Sequence, residues 1–419
     1  MTPVIHDGLH GNAERSFFLV VSPGLVSLAA REVEDKWQGI CGLMEELCPD
    51  EGKGLDLNMS TEPAGLTLHD LPVRMGFLLN SCLKIPTRVL MRLREFRCRD
   101  FPKLFNKTKK IDWSTCLSGC NPEIQVAARK SRLMHHRRIE ETVSSGIRAW
   151  FKEQSMDSTE KKHTPTDGSV YIRFDHDDCT ISLDTSGEAL YKRTPGKKTG
   201  PAPIRENLAA ALFYKLWLRD TRPPDGDLSI IDPMAGSGTF LSEASSFWQT
   251  SQRTTFAYQE FPFVSSSEKL KALTCYPLSA QLTPRGYAFD QNQECVERAN
   301  ENFKAAGLEI SVSCQDLFEP SVEPSVTGDW VFVNPPYGRR LESGEIFPFY
   351  YKKILNRILE KWRPSLIGMI VPADQLKVSF RVPYEYKMES KLSFLNGGLR
   401  VCFLILRHQE SGPVHRQQS

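Results

Sequence analysis

The residues best suited to chemistry stand at Asn334-Pro335-Pro336-Tyr337-Gly338, directly after an apolar, strand-like run from Trp330. An exocyclic base amine is a poor nucleophile because its lone pair is delocalised into the ring, and its attack on a methyl group requires that nitrogen to pyramidalise. The Asn334 amide oxygen and the Pro335 carbonyl can accept its two N–H groups and favour the reactive geometry. Two prolines stiffen the backbone that aims these acceptors. Tyr337 offers a ring on which an extruded base can stack. The catalytic candidates are therefore Asn334, Pro335 and Tyr337; taken alone, the same pentapeptide also reads as a proline-rich turn.

A methyl donor would need its own cradle, and Asp232-Pro233-Met234-Ala235-Gly236-Ser237-Gly238-Thr239-Phe240 has the form of one. It follows a strand and opens a helix. Gly236 and Gly238 let the backbone approach a ligand closely, and the amides of the helix start supply donors and partial positive charge. Ala235, Ser237 and Thr239 complete the loop. Asp232, at the strand end, can accept hydrogen bonds or pair with a cation, which suits an aminocarboxylate headed by a sulfonium centre. Asp290 closes the next strand, where nucleotide-binding sheets place an acid on ribose hydroxyls. It comes much later than the usual interval of about 20 residues, because a Ser/Gln-rich insertion with aromatics, Thr250–Pro284, intervenes. Asp316 follows a third strand and can meet an adenine amino group; by itself it is an ordinary loop acid. Together with Asn334 these residues form the expected site for S-adenosylmethionine (SAM). The displacement needs no metal and no covalent nucleophile, since the donor carries the activated methyl.

The elements that must position these residues change character along the chain. Up to about residue 190, strands (Phe17–Val21, Ile124–Ala128, and an alternating pair Val170–Phe174 and Thr180–Asp184) mix with helices without strict alternation, which predicts an α+β region. Tyr191–Pro203 reads as a Lys/Pro/Gly linker. From Arg205 onward strand and helix segments alternate: Leu228–Asp232, Thr239–Trp248, Tyr287–Asp290, Gln293–Ala306, Ile310–Cys314, Trp330–Asn334, Phe349–Trp362 and Leu366–Val371. That rhythm predicts a doubly wound, mostly parallel α/β Rossmann-like sheet. Two apolar runs flanking Asn396-Gly397-Gly398 predict a final antiparallel hairpin.

The chain has 419 residues, more than one core usually fills, and a formal net charge of +2, so any basic footprint must be local. Arg129, Lys130, Arg132, Arg137 and Arg138 supply one, and Arg129, Lys130 and Arg132 are the expected RNA-binding residues; a solvated helix face is the plainer alternative. Lys192, Arg193, Lys197 and Lys198 read in the same two ways. Eleven cysteines without a paired framework suggest free thiols in a reducing compartment. The first residues lack the pattern of a signal peptide and no run is long enough to span a bilayer, so a cytoplasmic protein with no membrane partner is expected. The composition leaves the oligomeric state open.

On these residues the second half resembles the SAM-dependent methyltransferases that carry an (N/D)PPY motif: DPMAGSGTF, Asp290, Asp316 and NPPY match their motifs in order. The whole chain is similar to the THUMP-domain methyltransferases. Within them it looks most like the branch acting on guanine N2 of bacterial large-subunit ribosomal RNA, through SLDTSGEALYKR, APIRENLAAALF and the insertion before Asp290. The resemblance implies a ferredoxin-like α/β segment over 15–64, a THUMP-like RNA-binding domain over 65–185, a linker over 186–204 and the methyltransferase domain over 205–408. It implies SAM as cofactor and ribosomal RNA as partner. The residues alone also allow an adenine-N6 DNA methyltransferase, or an RNA-binding assembly factor that has kept the fold without the activity.

Overall fold

The structure is a computed structural model that describes residues 14–49, 51, 53–154, 168–194, 196–200, 204–222, 227–264, 276–279, 283–319, 328–336, 347–377 and 382–409. The chain divides into two compact units. One comprises Met1–Val21, Trp37–Leu190 and Arg253–Thr274; the other comprises Ser22–Lys36, Tyr191–Gln252 and Cys275–Ser419.

The first unit contains a seven-stranded sheet. Its strands are β1 (Glu14–Val20), β2 (Met59–Glu62), β3 (Gly65–Pro72), β4 (Arg88–Arg97), β5 (Glu123–Arg129), β6 (Ser169–Asp175) and β7 (Asp178–Asp184), in the order β2-β3-β1-β4-β7-β6-β5. Only β5 and β6 run parallel, and the helix His136–Glu153 lies between them in the chain. The boundary expected at residue 64/65 falls in the tight turn between β2 and β3, where Glu62 pairs with Gly65. Because β1 pairs with both β3 and β4, the segments 15–64 and 65–185 build one sheet and share its core of Phe17, Leu19, Leu66, Leu68 and Met91. The β6–β7 turn holds His176 and Asp177 at φ +51° and +70°, the mirror-image turn that suits a two-residue hairpin.

Arg253–Thr274, the middle of the insertion, is part of this unit, whereas the sequence suggested one continuous methyltransferase segment from 205. Arg253 is buried and donates to the carbonyls of Ser186 at 2.7 Å, Glu188 at 2.9 Å and Thr255 at 2.8 Å. Tyr258 stacks on Phe77 with ring centroids 4.5 Å apart, and its N–H donates to the Thr185 carbonyl. Asn80 donates to Thr185 Oγ1 at 3.0 Å and accepts from Ser186 Oγ at 2.6 Å. The stretch Asp184-Thr185-Ser186 is thus a buried polar knot closing β7. It is interior to the unit, so its place in the SLDTSGEALYKR signature has a packing reason.

The second unit carries the other sheet. Its strands are β8 (Ser229–Asp232), β9 (Arg285–Asp290), β10 (Ser311–Cys314), β11 (Trp330–Val333), β12 (Leu366–Pro372), β13 (Tyr386–Asn396) and β14 (Leu399–His408). They lie in the order β10-β9-β8-β11-β12-β14-β13, parallel as far as β12, with β14 antiparallel to it. Strand order reverses at β8, where the next strand on the far side is β11. Such a switch point opens a crevice at the carboxyl ends of the strands. Gly397 and Gly398, at φ +57° and +82°, make the hairpin turn as expected.

The helices of this unit are amphipathic or buried. We label them α1 (Glu206–Trp217), α2 (Thr239–Ser246), α3 (Gln293–Ala305) and α4 (Phe347–Lys361). Ten of the twelve residues of α1 are buried, so it is an interior helix, as its alanine- and leucine-rich sequence implies. Helix α3 starts where the Asn292 side chain accepts the Glu294 N–H at 2.8 Å and stops at Gly307, φ +63°. Helix α4 buries Tyr351, Ile354, Leu355 and Ile358 in a core with Val331, Val333, Ile367 and Met369.

Candidate active site

Strand register brings the chemistry-bearing residues to one edge of the second sheet. Asp232 pairs with Ala288, so Asp290 lies two residues further out on β9. Cys314 pairs with Asp290, so Asp316 lies two residues beyond on the β10 side. Val331 pairs with Ile231, and Asn334 extends past the end of β11 on the opposite side of β8. All four sit at the carboxyl edge, around the switch point.

Asp232 is only 2% exposed. Burial pushes its carboxyl up to about 8; the Met234 N–H donating to Oδ1 at 3.1 Å opposes the rise, and the charge of Asp290 adds to it. A carboxyl kept neutral by burial and by a neighbouring acid is one that a cation would ionise. Asp290 organises the loop: its Oδ2 accepts the Gly236 N–H at 2.9 Å and its Oδ1 accepts the Asn292 N–H at 2.9 Å. One carboxylate therefore ties the glycine turn to the start of α3.

Two glycines in the loop are required for different reasons. Gly236, at φ +56°, faces open space where a Cβ would meet nothing within 4 Å. Gly238, at φ +77°, lies so near α3 that a Cβ would stand 2.4 Å from the Phe303 ring. Helix α2 begins at Gly238 with no side chain capping its first amides. The result is a helix start whose first amides carry no side-chain cap, the arrangement that receives anionic groups.

Residues outside the motif hold this loop in place. Asn302, buried on α3, donates to the carbonyls of Ser237 and Lys198 at 2.9 Å each and accepts the Lys198 N–H at 2.9 Å. Lys197 donates to Thr239 Oγ1 at 2.9 Å and pairs with Glu206 at 2.7 Å. Asn302 was legible only as a polar residue in the apolar stripe of Ala299, Phe303 and Ala306; Lys197 had no such signal. Arg193 pairs with Glu243 at 3.1 Å with both side chains buried, and Lys198 pairs with Glu301 at 2.6 Å. Lys192 and Lys198 are exposed, so only Arg193 and Lys197 of this stretch are withdrawn from a phosphate-binding role. Arg193 and Lys197 are committed to the second unit's interior.

Asp316 accepts the Phe318 N–H at 2.9 Å, which turns the chain after β10. Asn334 is half-buried, and its Oδ1 is buried with no hydrogen-bond partner among the described residues. A buried amide oxygen without a donor costs on the order of 1–3 kcal/mol. Pro335 behind it is buried, while Tyr337 and Gly338 lie outside the described residues. Among the described residues no group of three or more His, Cys, Asp or Glu side chains could hold a metal ion, and no helix is long and apolar enough to cross a membrane.

The basic cluster of the first unit is differentiated. Arg129 forms a two-pronged pair with Asp175, at 2.5 and 3.2 Å. Arg137 pairs with Glu141 at 3.1 Å, and the Arg138 guanidinium lies 4.2 Å from the Phe101 ring centre. Lys130, at φ +46°, and Arg132 are exposed on the turn, where the Arg132 N–H donates to Asp177. His135 caps the following helix by accepting the Arg138 N–H at 3.3 Å.

Residues 193–389, which span the glycine loop, the three acids and NPPY, match the RMKL-like methyltransferase domain. The chain is 26% identical over 84% of its length to the ribosomal RNA large subunit methyltransferase K/L of Methylococcus capsulatus, covering 47% of that protein. It is 28% identical over 81% of its length to the namesake in Acinetobacter baylyi, covering 48% of it. The chain thus spans about half the length of these curated relatives. SMU.472, assigned as a methyltransferase and solved with SAH, aligns over 95% of this chain and 99% of its own with a TM-score of 0.68 and 23% identity. That likeness concerns the fold, and in it both units are matched. The RMKL-like region carries the loop and acid geometry described above on a methyltransferase sheet.

Proposed function

We propose that the chain is a cytoplasmic, SAM-dependent RNA methyltransferase acting on the exocyclic N2 amine of a guanine in large-subunit ribosomal RNA. The names of the K/L relatives support the substrate class, and the SAH held by SMU.472 supports the cofactor. The observation that carries the reading is the buried Asn334 Oδ1, without a hydrogen-bond partner among the described residues, at the switch point of an RMKL-like sheet.

The residues present fit SAM. The open face of Gly236 and the uncapped start of α2 would receive the aminocarboxylate end, with Gly238 and Thr239. Asp232, neutral when alone, would ionise against positive charge there. Asp290, fixed by two backbone N–H groups, would take the ribose hydroxyls, and Asp316 the adenine amino group. Once bound, SAM supplies a methyl group activated on a sulfonium centre.

What this chain adds is direction. Asn334 Oδ1 and the Pro335 carbonyl would accept the two N–H bonds of the target amine. That interaction releases the nitrogen lone pair from the ring and strengthens as positive charge grows on nitrogen, so it favours the transition state over bound substrate. Residues 65–185 would serve as the THUMP-like RNA-binding part, with Lys130 and Arg132, rather than the Asp175-paired Arg129, touching phosphates.

Asn334→Ala tests the proposal. Calorimetry should find SAM affinity near wild type, while single-turnover methylation of deproteinised large-subunit RNA should fall by about a hundredfold or more, as when a positioned polar group is removed from a transition state. A rate within a few-fold of wild type would contradict the role given to Asn334.

A further inference from the structure

The second unit has a groove that the methyl-transfer site does not use. It encloses about 440 Å³ and is lined by Phe318 from the turn after β10 and by Phe349, Lys352, Lys353, Arg357 and Glu360 from one face of α4. Its volume falls within the roughly 300–1,000 Å³ of small-ligand pockets, but it is a surface groove.

Its position follows from topology. β11 and β12 are parallel, so the helix joining them runs back across the sheet and starts at the carboxyl edge. Phe349, Lys352 and Lys353 occupy the first turns of α4, and Phe318 lies two residues after Asp316. The groove's upper end therefore adjoins the edge where Asp316 and Asn334 stand.

Its chemistry is basic and aromatic. Phe349 is 68% exposed at the start of an otherwise packed helix, and neither burial nor a neighbouring ring among the described residues accounts for it. Lys353 lies 4.3 Å from the centre of the Phe318 ring. Arg357 is structural: it donates to the carbonyls of Leu317 at 3.1 Å and Glu319 at 2.6 Å and pairs with Glu360 at 2.9 Å, which fixes the Phe318 turn against the helix. Lys352 and Lys353 are both exposed on the groove wall. Two rings held beside two ammonium groups, on a rigid helix and a pinned turn, match what single-stranded nucleic acid presents. Bases stack on such rings without sequence preference, and phosphates meet the cations.

We propose that this groove binds the single-stranded RNA flanking the target guanine, with Phe349 as the stacking platform and Lys352 and Lys353 on the phosphates. The inference rests on the RNA reading above and deepens it. It gives the catalytic unit its own grip on a strand that must be open around an extruded base.

The test uses the full chain and two probes, oligouridylate and deproteinised large-subunit RNA. Phe349→Ala should weaken oligouridylate binding about tenfold. Lys352→Gln with Lys353→Gln should weaken it too and should lower the slope of log affinity against log salt by about 0.7 for each phosphate no longer neutralised. All variants should keep wild-type SAM affinity and unfolding temperature, because Phe349, Lys352 and Lys353 are exposed. Wild-type RNA affinity and salt slope in both variants, in a chain that still methylates RNA, would overturn the groove alone. If instead the wild-type chain neither binds nor methylates RNA, both the groove and the reading beneath it fail. Loss of binding to a ribosomal particle with unchanged binding to both RNA probes would point to a protein partner and also overturn the proposal.

Discussion

Asp232→Asn should strengthen the fold of the second unit at alkaline pH while weakening the cofactor site. The carboxyl ends β8, is 2% exposed, and is lifted by burial from an ordinary 3.8 to about 8. Between those two pH values the folded chain keeps a proton there that the unfolded chain has lost. Stability therefore falls as pH rises from about 4 to about 8, and levels off above. The full rise corresponds to an ionisation penalty on the order of 5 kcal/mol, an upper bound once the site relaxes and admits water. An amide of the same shape still accepts the Met234 N–H and has no proton to lose. Thermal unfolding followed by circular dichroism should give similar midpoints for variant and wild type near pH 5. Near pH 9 the variant should unfold several degrees higher. Asp184 in the first unit is also raised by burial, so both proteins will show some decline of the same sign; the difference between them isolates Asp232. SAM affinity should fall by about 1.5–3 kcal/mol in the variant, the range for a hydrogen bond to a charged group. A variant less stable than wild type at pH 9 would overturn this expectation, because it would mean that the ionised carboxylate is stabilised by the loop.

Two further perturbations probe the loop and the RNA surface. Gly238→Ala should cost at least about 1–3 kcal/mol of stability and disturb SAM binding, because the residue sits at φ +77° with the Phe303 ring 2.4 Å from a Cβ; an unchanged unfolding midpoint would show that α3 gives way easily. Lys130→Glu with Arg132→Glu should weaken RNA binding and flatten its salt dependence without altering SAM affinity, and unchanged binding in a filter assay would move the first unit's RNA surface elsewhere.

Local signals were legible where one short stretch determines the outcome. Asn396-Gly397-Gly398 specified its hairpin through two positive φ angles, and the β6–β7 pair emerged from alternation around a turn that His176 and Asp177 make. Strands β8 and β9 were readable because each ends in an aspartate at the carboxyl edge. The first long helix runs over Val26–Leu47, and Ile40, Leu43 and Met44 continue its buried stripe beyond the bulky Trp37. The helix Phe101–Lys109 was hidden in a basic, aromatic stretch. Its real signal was Asp100 accepting the Lys103 N–H ahead of a proline in the first turn.

What escaped the sequence was proximity between distant residues. Nothing near Arg253 indicates that it will fill the carbonyls of 186–189, so Arg253–Thr274, inside the expected 205–408 domain, could not be recognised as part of the first unit. Arg193 and Lys197 looked like free cations until Glu243 and Glu206 were found beside them. Arg129, Lys130 and Arg132 looked equivalent; their differences arise from Asp175 and Asp177 on the neighbouring hairpin. The acids and the NPPY asparagine could be named from strand ends, but which of them stand side by side depends on a strand order that no local pattern encodes.

Whether this chain methylates guanine N2 in large-subunit ribosomal RNA is decided most directly by nucleoside mass spectrometry. RNA and DNA from cells with and without the protein would be digested and compared, and the same RNA incubated with purified protein and isotopically labelled SAM. Cells without the protein should lose one N2-methylguanosine from large-subunit RNA. The purified protein should restore it in vitro, faster on deproteinised RNA than on the assembled subunit, since an unpaired guanine is cheaper to extrude. Unchanged N2-methylguanosine together with lost N6-methyladenine in DNA would contradict the assignment.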